Sequence, residues 1–352
     1  MRNSFSPIRV VLAIVCLFAA PLVALESAPI KIDAASTPDI TVEKITYEGW
    51  PDALRVRNAA CELVIVPQIT RVIHFSLAGK ENMLYLNREL AGKTVEKEDG
   101  TWHNFGGDKL WPAQQDMWIK YTKKDGWPPP FEFDGAAAAA EGIPGGVRLT
   151  TPQSPHFGAH AVREFVLDPK RPLVHVTQRF EKTEGNPAEM TLWSVTQVRR
   201  PNYALMPMGQ PIDGQPFKAL MKNPNHEEHG GFFVIKNEDT PAKKAGVAPD
   251  ANYSDGWAAA VYDDIAVLKS HPLHKDGKYP DGNCPEEIFT ADKGLNFYIE
   301  LELLSPLQTV KAGEKLADEE VWQLVPLTKG QSADPEKAGA ALREAHKAAL
   351  GK

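Results

Sequence analysis

The residues best suited to chemistry in this sequence fall in three short stretches. The first runs Trp102-His103-Asn104-Phe105-Gly106-Gly107-Asp108-Lys109-Leu110-Trp111-Pro112-Ala113-Gln114-Gln115-Asp116-Met117-Trp118, and Trp127 follows just before a run of prolines. Half of the eight tryptophans lie on this one segment. An indole face is a flat apolar plate with one N–H donor. Such plates suit the C–H faces of a sugar ring. Asp108, Gln114, His103 and Lys109 beside them suit its hydroxyls, since an unmatched buried polar group costs about 1–3 kcal/mol. Two uses compete: Trp111 and Trp118 contact a sugar, or they anchor a long loop to the body of the protein.

The second stretch is Thr191-Leu192-Trp193-Ser194-Val195-Thr196-Gln197-Val198. On a strand, Trp193, Val195 and Gln197 share one face and Ser194, Thr196 and Val198 the other. Gln197 can bind a hydroxyl, and Arg199 or Arg200 can grip a carboxylate with two hydrogen bonds. The alternative for the arginines is a solvated strand end. The third stretch is Phe297-Tyr298-Ile299-Glu300-Leu301-Glu302-Leu303-Leu304-Ser305-Pro306. Glu300 and Glu302 lie on the face that carries Tyr298. If that face is partly buried, their pKa values rise and split, which suits acid–base work. Against this stands the exposed face of an edge strand.

Other patterns are weaker. His226-Glu227-Glu228-His229 has its histidines three apart, beside Pro224 and Gly230-Gly231, whereas a helical zinc site needs a spacing of four. The cysteines form no zinc pattern, and the expectation is no metal and no cofactor. G-x-S-x-G, the phosphate-binding loop and the dinucleotide fingerprint are not found in their required settings. His156 and His271 stand isolated in sequence.

These residues must be positioned by strands. Short runs with period-two character recur at 40–47, 54–58, 61–66, 71–77, 147–150, 160–167, 173–180, 190–198, 231–236, 256–262, 265–268 and 296–303. Gly, Pro and Asn punctuate them, and 29 prolines and 26 glycines fit many turns. This pattern predicts an all-β sandwich or barrel. Residues 97–146 and 202–229 read as long loops, a length usually reserved for function or disorder. Asp334-Pro335-Glu336 places an N-cap, a proline at the first helical position and an acid in the first turn. A helix over 333–351 follows, on the surface of the sandwich.

The 352 residues, 43% hydrophobic, can fill one large β domain, taken as 40–327. A net charge of −7 argues against a nucleic-acid partner, which needs a basic stripe. Arg2 and Arg9 precede an apolar run from Val10 to Leu25, with small residues near Ala24. Residues 1–25 therefore read as a signal peptide for export to the periplasm or beyond, shorter than a comfortable membrane span. Cleavage leaves Cys61 and Cys284, which can pair in an oxidising compartment or remain free and buried.

Several strings together resemble a bacterial domain family of unknown function in the galactose-mutarotase-like superfamily. They are Tyr47-Glu48-Gly49-Trp50 through Asn82-Met83-Leu84, Gly106-Gly107-Asp108-Lys109-Leu110-Trp111-Pro112, Trp193 to Gln197, Glu300-Leu301-Glu302-Leu303-Leu304-Ser305-Pro306, and Gly313-Glu314. The resemblance implies an antiparallel β-supersandwich with a sugar-sized cleft on a concave sheet. It also implies a glutamate base on a late strand, matching Glu302 first and Glu300 next. Mutarotases use a histidine as acid, but the strand that should carry it, Trp193 to Val198, has none. His103 or Lys109 would have to substitute. Three readings follow: an acid–base enzyme acting on a sugar, a non-catalytic carbohydrate-binding protein of the cell envelope using Asp108, Trp111 and Trp118, and a structural envelope protein without a ligand.

Overall fold

A computed structural model describes residues 29–113, 115–122, 126–221, 225–236, 242–291 and 298–351. The expected signal segment and Gln114 lie outside the described residues. Two large sheets dominate. One has ten strands in the order Lys218–Ala219, Lys243–Val247, Glu286–Thr290, Tyr298–Leu304, Leu192–Arg199, Asp108–Pro112, Arg71–Leu77, Cys61–Val66, Trp50–Arg57, Thr41–Tyr47. The other has eleven, with Ala159–Leu167, Leu173–Lys182, Lys315–Pro326, Ile265–Ser270 and Trp257–Val261 at its centre. Pairing is antiparallel apart from the short Ile30–Lys31 strand, which runs parallel to Ala139–Ile143. The expected all-β supersandwich is the fold observed.

The sheets pack face to face. Val56, Leu63, Phe75, Val198, Leu301 and Leu303 from one meet Val174, Val176, Ala260, Val267 and Leu324 from the other. The Leu192–Arg199 and Tyr298–Leu304 strands are buried along nearly their whole length. Ile299, Leu301 and Leu303 fill the inter-sheet core, while Glu300 and Glu302 alternate onto the opposite, outer face. The edge-strand alternative for these glutamates is excluded, because Tyr298–Leu304 has a neighbour on each side.

The core also holds a sealed polar layer. Asp108 is fully buried, 2.6 Å from Arg163, and accepts a 2.6 Å hydrogen bond from the Thr196 hydroxyl. Glu320 accepts from Gln178, Trp322 and Ser194 and lies 3.4 Å from Lys269. Two acids thus face two cations between the sheets. The carboxylate of Asp108, expected to bind substrate, points into the inter-sheet core.

The long loops carry structure of their own. Gln115–Thr122 is a helix inside the first, and Tyr203–Pro207 and His226–His229 are strands inside the second. The C-terminal helix spans Pro335–Ala349, and Asp334 caps it by accepting from the amides of Glu336 and Lys337. Ala338 and Leu342 pack with Trp257 and Val261 of the eleven-stranded sheet. Gly339 permits that approach: a Cβ there would come within 2.4 Å of the Phe232 ring. Cys61 and Cys284 are both free and buried.

Candidate functional site

The outer face of the ten-stranded sheet collects the other set of side chains from the same strands. Register places Lys109 opposite Val195, Val195 opposite Glu302, and Glu302 opposite Glu287. Gln197 stands opposite Glu300, and Trp111 opposite Trp193. Glu300 accepts hydrogen bonds from Lys109 at 3.0 Å and from Gln197 at 2.8 Å. Glu302 accepts from the Trp193 indole at 2.5 Å. Lys244 reaches over from the Lys243–Val247 strand, 2.8 Å from Glu302 and 2.6 Å from Glu287. Its ammonium also lies 4.5 Å from the centre of the Trp193 ring, a favourable cation–π placement.

One lysine therefore bridges two buried carboxylates. Burial raises the pKa of Glu302 and pushes that of Glu287 well above the usual carboxylate range, and in both cases Lys244 opposes the rise. For Lys244, burial favours the neutral amine, but the two carboxylates outweigh it and hold the ammonium above the ordinary lysine value. Such a unit can hold or pass a proton with little net change of charge.

The tryptophans of the long loop settle mainly inward. Trp118 is fully buried, donates to the Pro112 carbonyl at 2.7 Å, and packs against Trp111, Trp127 and Trp193. Trp111 is buried and donates to Asp134 at 2.8 Å. Both anchor the loop to the body of the protein. Trp193 does border open space. With Lys244, Asp281, Leu220, Met221, Gln115, Asp116, Ile119 and Gly126 it lines a cleft of about 460 Å³, within the usual size range for small-molecule sites.

Other expected residues lie apart from this cleft. His103 bonds to Asp99 at 2.9 Å and stacks near Phe105, beside a separate hollow with Trp102 and Pro128. Lys109 is buried between Glu300 and the face of Trp111. Neither lines the cleft. Arg199 pairs with Glu81 at 2.8 Å and lies over Tyr262. It lines a different hollow with Met83 and Ile265.

Lys244 and Glu287 were missed in the sequence reading. The one signal was local: Glu286-Glu287 opens the run Ile288-Phe289-Thr290, a strand whose acids resemble the Glu300 and Glu302 pattern.

Comparison with known proteins agrees with this architecture. Solved structures that match include a protein from Synechocystis sp. PCC 6803, with TM-score 0.54, 13% identity, and coverage of 81% of this chain and 100% of that one. A proposed mutarotase from Salmonella typhimurium gives TM-score 0.53 at 10% identity, covering 85% and 97%. A galactose mutarotase-like protein from Lactobacillus casei gives 0.51 at 11% identity, covering 78% and 100%. At these identities the likeness shows the fold. No curated protein matches the chain. The family model described as "Domain of unknown function (DUF4380)" matches residues 52–325. The chain belongs to that family, and its fold is galactose-mutarotase-like.

Proposed function

We propose that this protein is exported and recognises a carbohydrate in the cleft over Trp193 and Lys244. One observation carries the reading. The large apolar side chains most exposed among the described residues are Ile119 at 54%, Met221 at 50% and Trp127 at 39%. Ile119 and Met221 line this cleft, and Trp127 follows Gly126, which lines it too. Exposed apolar groups gathered around polar ones mark a binding site, and a sugar has the matching C–H faces and hydroxyls. Names of structural neighbours support the ligand class. The Arg2, Arg9 and Val10 to Leu25 pattern supports export. Isothermal titration of the chain from residue 26 onward with a panel of hexoses, pentoses and disaccharides tests the binding. Saturable binding, weakened in Asp281→Asn, is expected. Failure of every sugar to bind refutes it, and retention of residues 1–25 on the exported protein refutes the processed leader.

The Lys244 bridge favours a second reading, acid–base chemistry on that sugar. Glu302 would take the anomeric hydroxyl proton once the Trp193 N–H releases it. Lys244 would protonate the ring oxygen as the C1–O bond opens, and ring closure would return both protons. Exchange NMR on the same panel decides it: anomer interconversion faster than buffer and slowed at least tenfold in Glu302→Gln is required.

A further inference from the structure

The cleft joins two chemistries that come from separate elements. Its floor is polar and tied down: Lys244 is locked to Glu287 and Glu302, and its ammonium caps the Trp193 ring. Its walls are not. Ile119 projects from the Gln115–Thr122 helix, whose preceding residue, Trp118, packs on Trp193. Met221 follows the Lys218–Ala219 edge strand and is held by an amide hydrogen bond to the Lys244 carbonyl. Both side chains are half exposed, and both line the same cleft. Lys244, Asp116 and Asp281 already offer the polar contacts that one sugar ring needs. The few C–H groups of a free monosaccharide cover only part of the Ile119 and Met221 surface, and its hydroxyls gain nothing there. Surface of this kind is unfavourable to leave exposed beside a polar site unless a ligand covers it.

We infer that the ligand is a glycoside with an apolar aglycone, its sugar over Trp193 and Lys244 and its aglycone between Ile119 and Met221. This rests on the carbohydrate reading above. Each methylene group buried on binding strengthens association about fourfold, so two or three between these walls give about tenfold or more.

The test compares methyl, octyl and phenyl glycosides of glucose, galactose and mannose by titration calorimetry, with octyl glycosides below micelle formation and hexanol as the sugar-free control. For the sugar that binds, the octyl or phenyl glycoside should bind at least about tenfold tighter than the methyl glycoside. Ile119→Ser with Met221→Ser should weaken the octyl or phenyl glycoside at least about tenfold more than the methyl glycoside, erasing that gain. An alkyl gain without a phenyl gain marks a chain-bearing ligand, and the reverse marks an aromatic one; either supports the inference. Equal binding of methyl, octyl and phenyl glycosides overturns it while leaving sugar recognition intact. A gain that survives the double variant also overturns it, as does hexanol binding as tightly as the octyl glycoside. Absence of binding by every glycoside overturns the carbohydrate reading itself.

Discussion

Two polar clusters, made by alternate residues of the same strands, behave in opposite ways. Asp108 and Thr196 point between the sheets, while Lys109 and Gln197, one residue further along, point to the outer face. Glu286 and Glu287 divide in the same manner: Glu286 meets His271 at 2.8 Å, and Glu287 meets Lys244. The inter-sheet cluster is sealed, with two acids against two cations and hydrogen bonds on several sides. The outer cluster borders open space, and one of its two lysines, Lys244, faces two carboxylates. A sealed, balanced network rigidifies a core. A buried group that reaches a cleft is where proton traffic and ligand selection become possible.

The comparison can be broken most directly in the sealed layer. Asp108→Leu leaves Arg163 and Lys269 short of an anion, and the expected loss is about 3–5 kcal/mol in denaturant unfolding. A loss below about 1 kcal/mol would show that the layer is not the closed network described. The next effect concerns pH. Burial lowers the pKa of His271 to about 3, while the unfolded side chain titrates near 6.5. The unfolded state therefore binds the extra proton first. Stability from this group is complete above about pH 6.5 and falls as the pH drops toward 3. Burial of Glu286 acts oppositely, since a raised carboxyl pKa withdraws stability as pH rises. His271→Asn should flatten the acid side of the stability profile between about pH 6 and 4. An unchanged slope there would remove His271 as the cause.

Smaller effects belong to the cleft side. Lys244→Met leaves Glu287 and Glu302 without their cation, but burial already raises both carboxyl pKa values, which eases their protonation, so the expected cost is about 1–3 kcal/mol. Sugar binding should fall together with it. Glu302→Gln keeps the shape and an acceptor for the Trp193 N–H, and Glu287 still pairs with Lys244, so the expected loss in unfolding free energy is about 1–2 kcal/mol. Its effect should appear in binding or anomer exchange instead. A Glu302→Gln loss as large as that of Asp108→Leu would erase the distinction between the two clusters.

Much of this was legible along the chain. Strand punctuation indicated an all-β fold, and Asp334-Pro335 marked the final helix. Spacing put Glu300 with Glu302, and Trp193 with Gln197, on common faces. The two uses of the loop could not be told apart along the chain because tryptophans look alike in sequence, whether they stack on a ligand or on one another. Trp118 and Trp111 found partners in each other and in Trp193. Lys244 carried no local signal, since it lies in a short Lys-Lys-Ala-Gly-Val strand next to a sheet edge.

What the sequence by itself determined is which residues share a face, because side chains of a strand alternate with a period of two whatever it packs against. Which face is sealed, and which opens to a cleft, was decided by the tertiary structure alone. Asp108 and Lys109 are neighbours with equal claims until the second sheet covers one side. Lys244 joins Glu302 only because Glu286–Thr290 lies between their strands and aligns them in register. Ile119 and Met221 share one cleft for the same reason: pairing and packing bring distant segments together, and no local preference of the chain encodes that meeting.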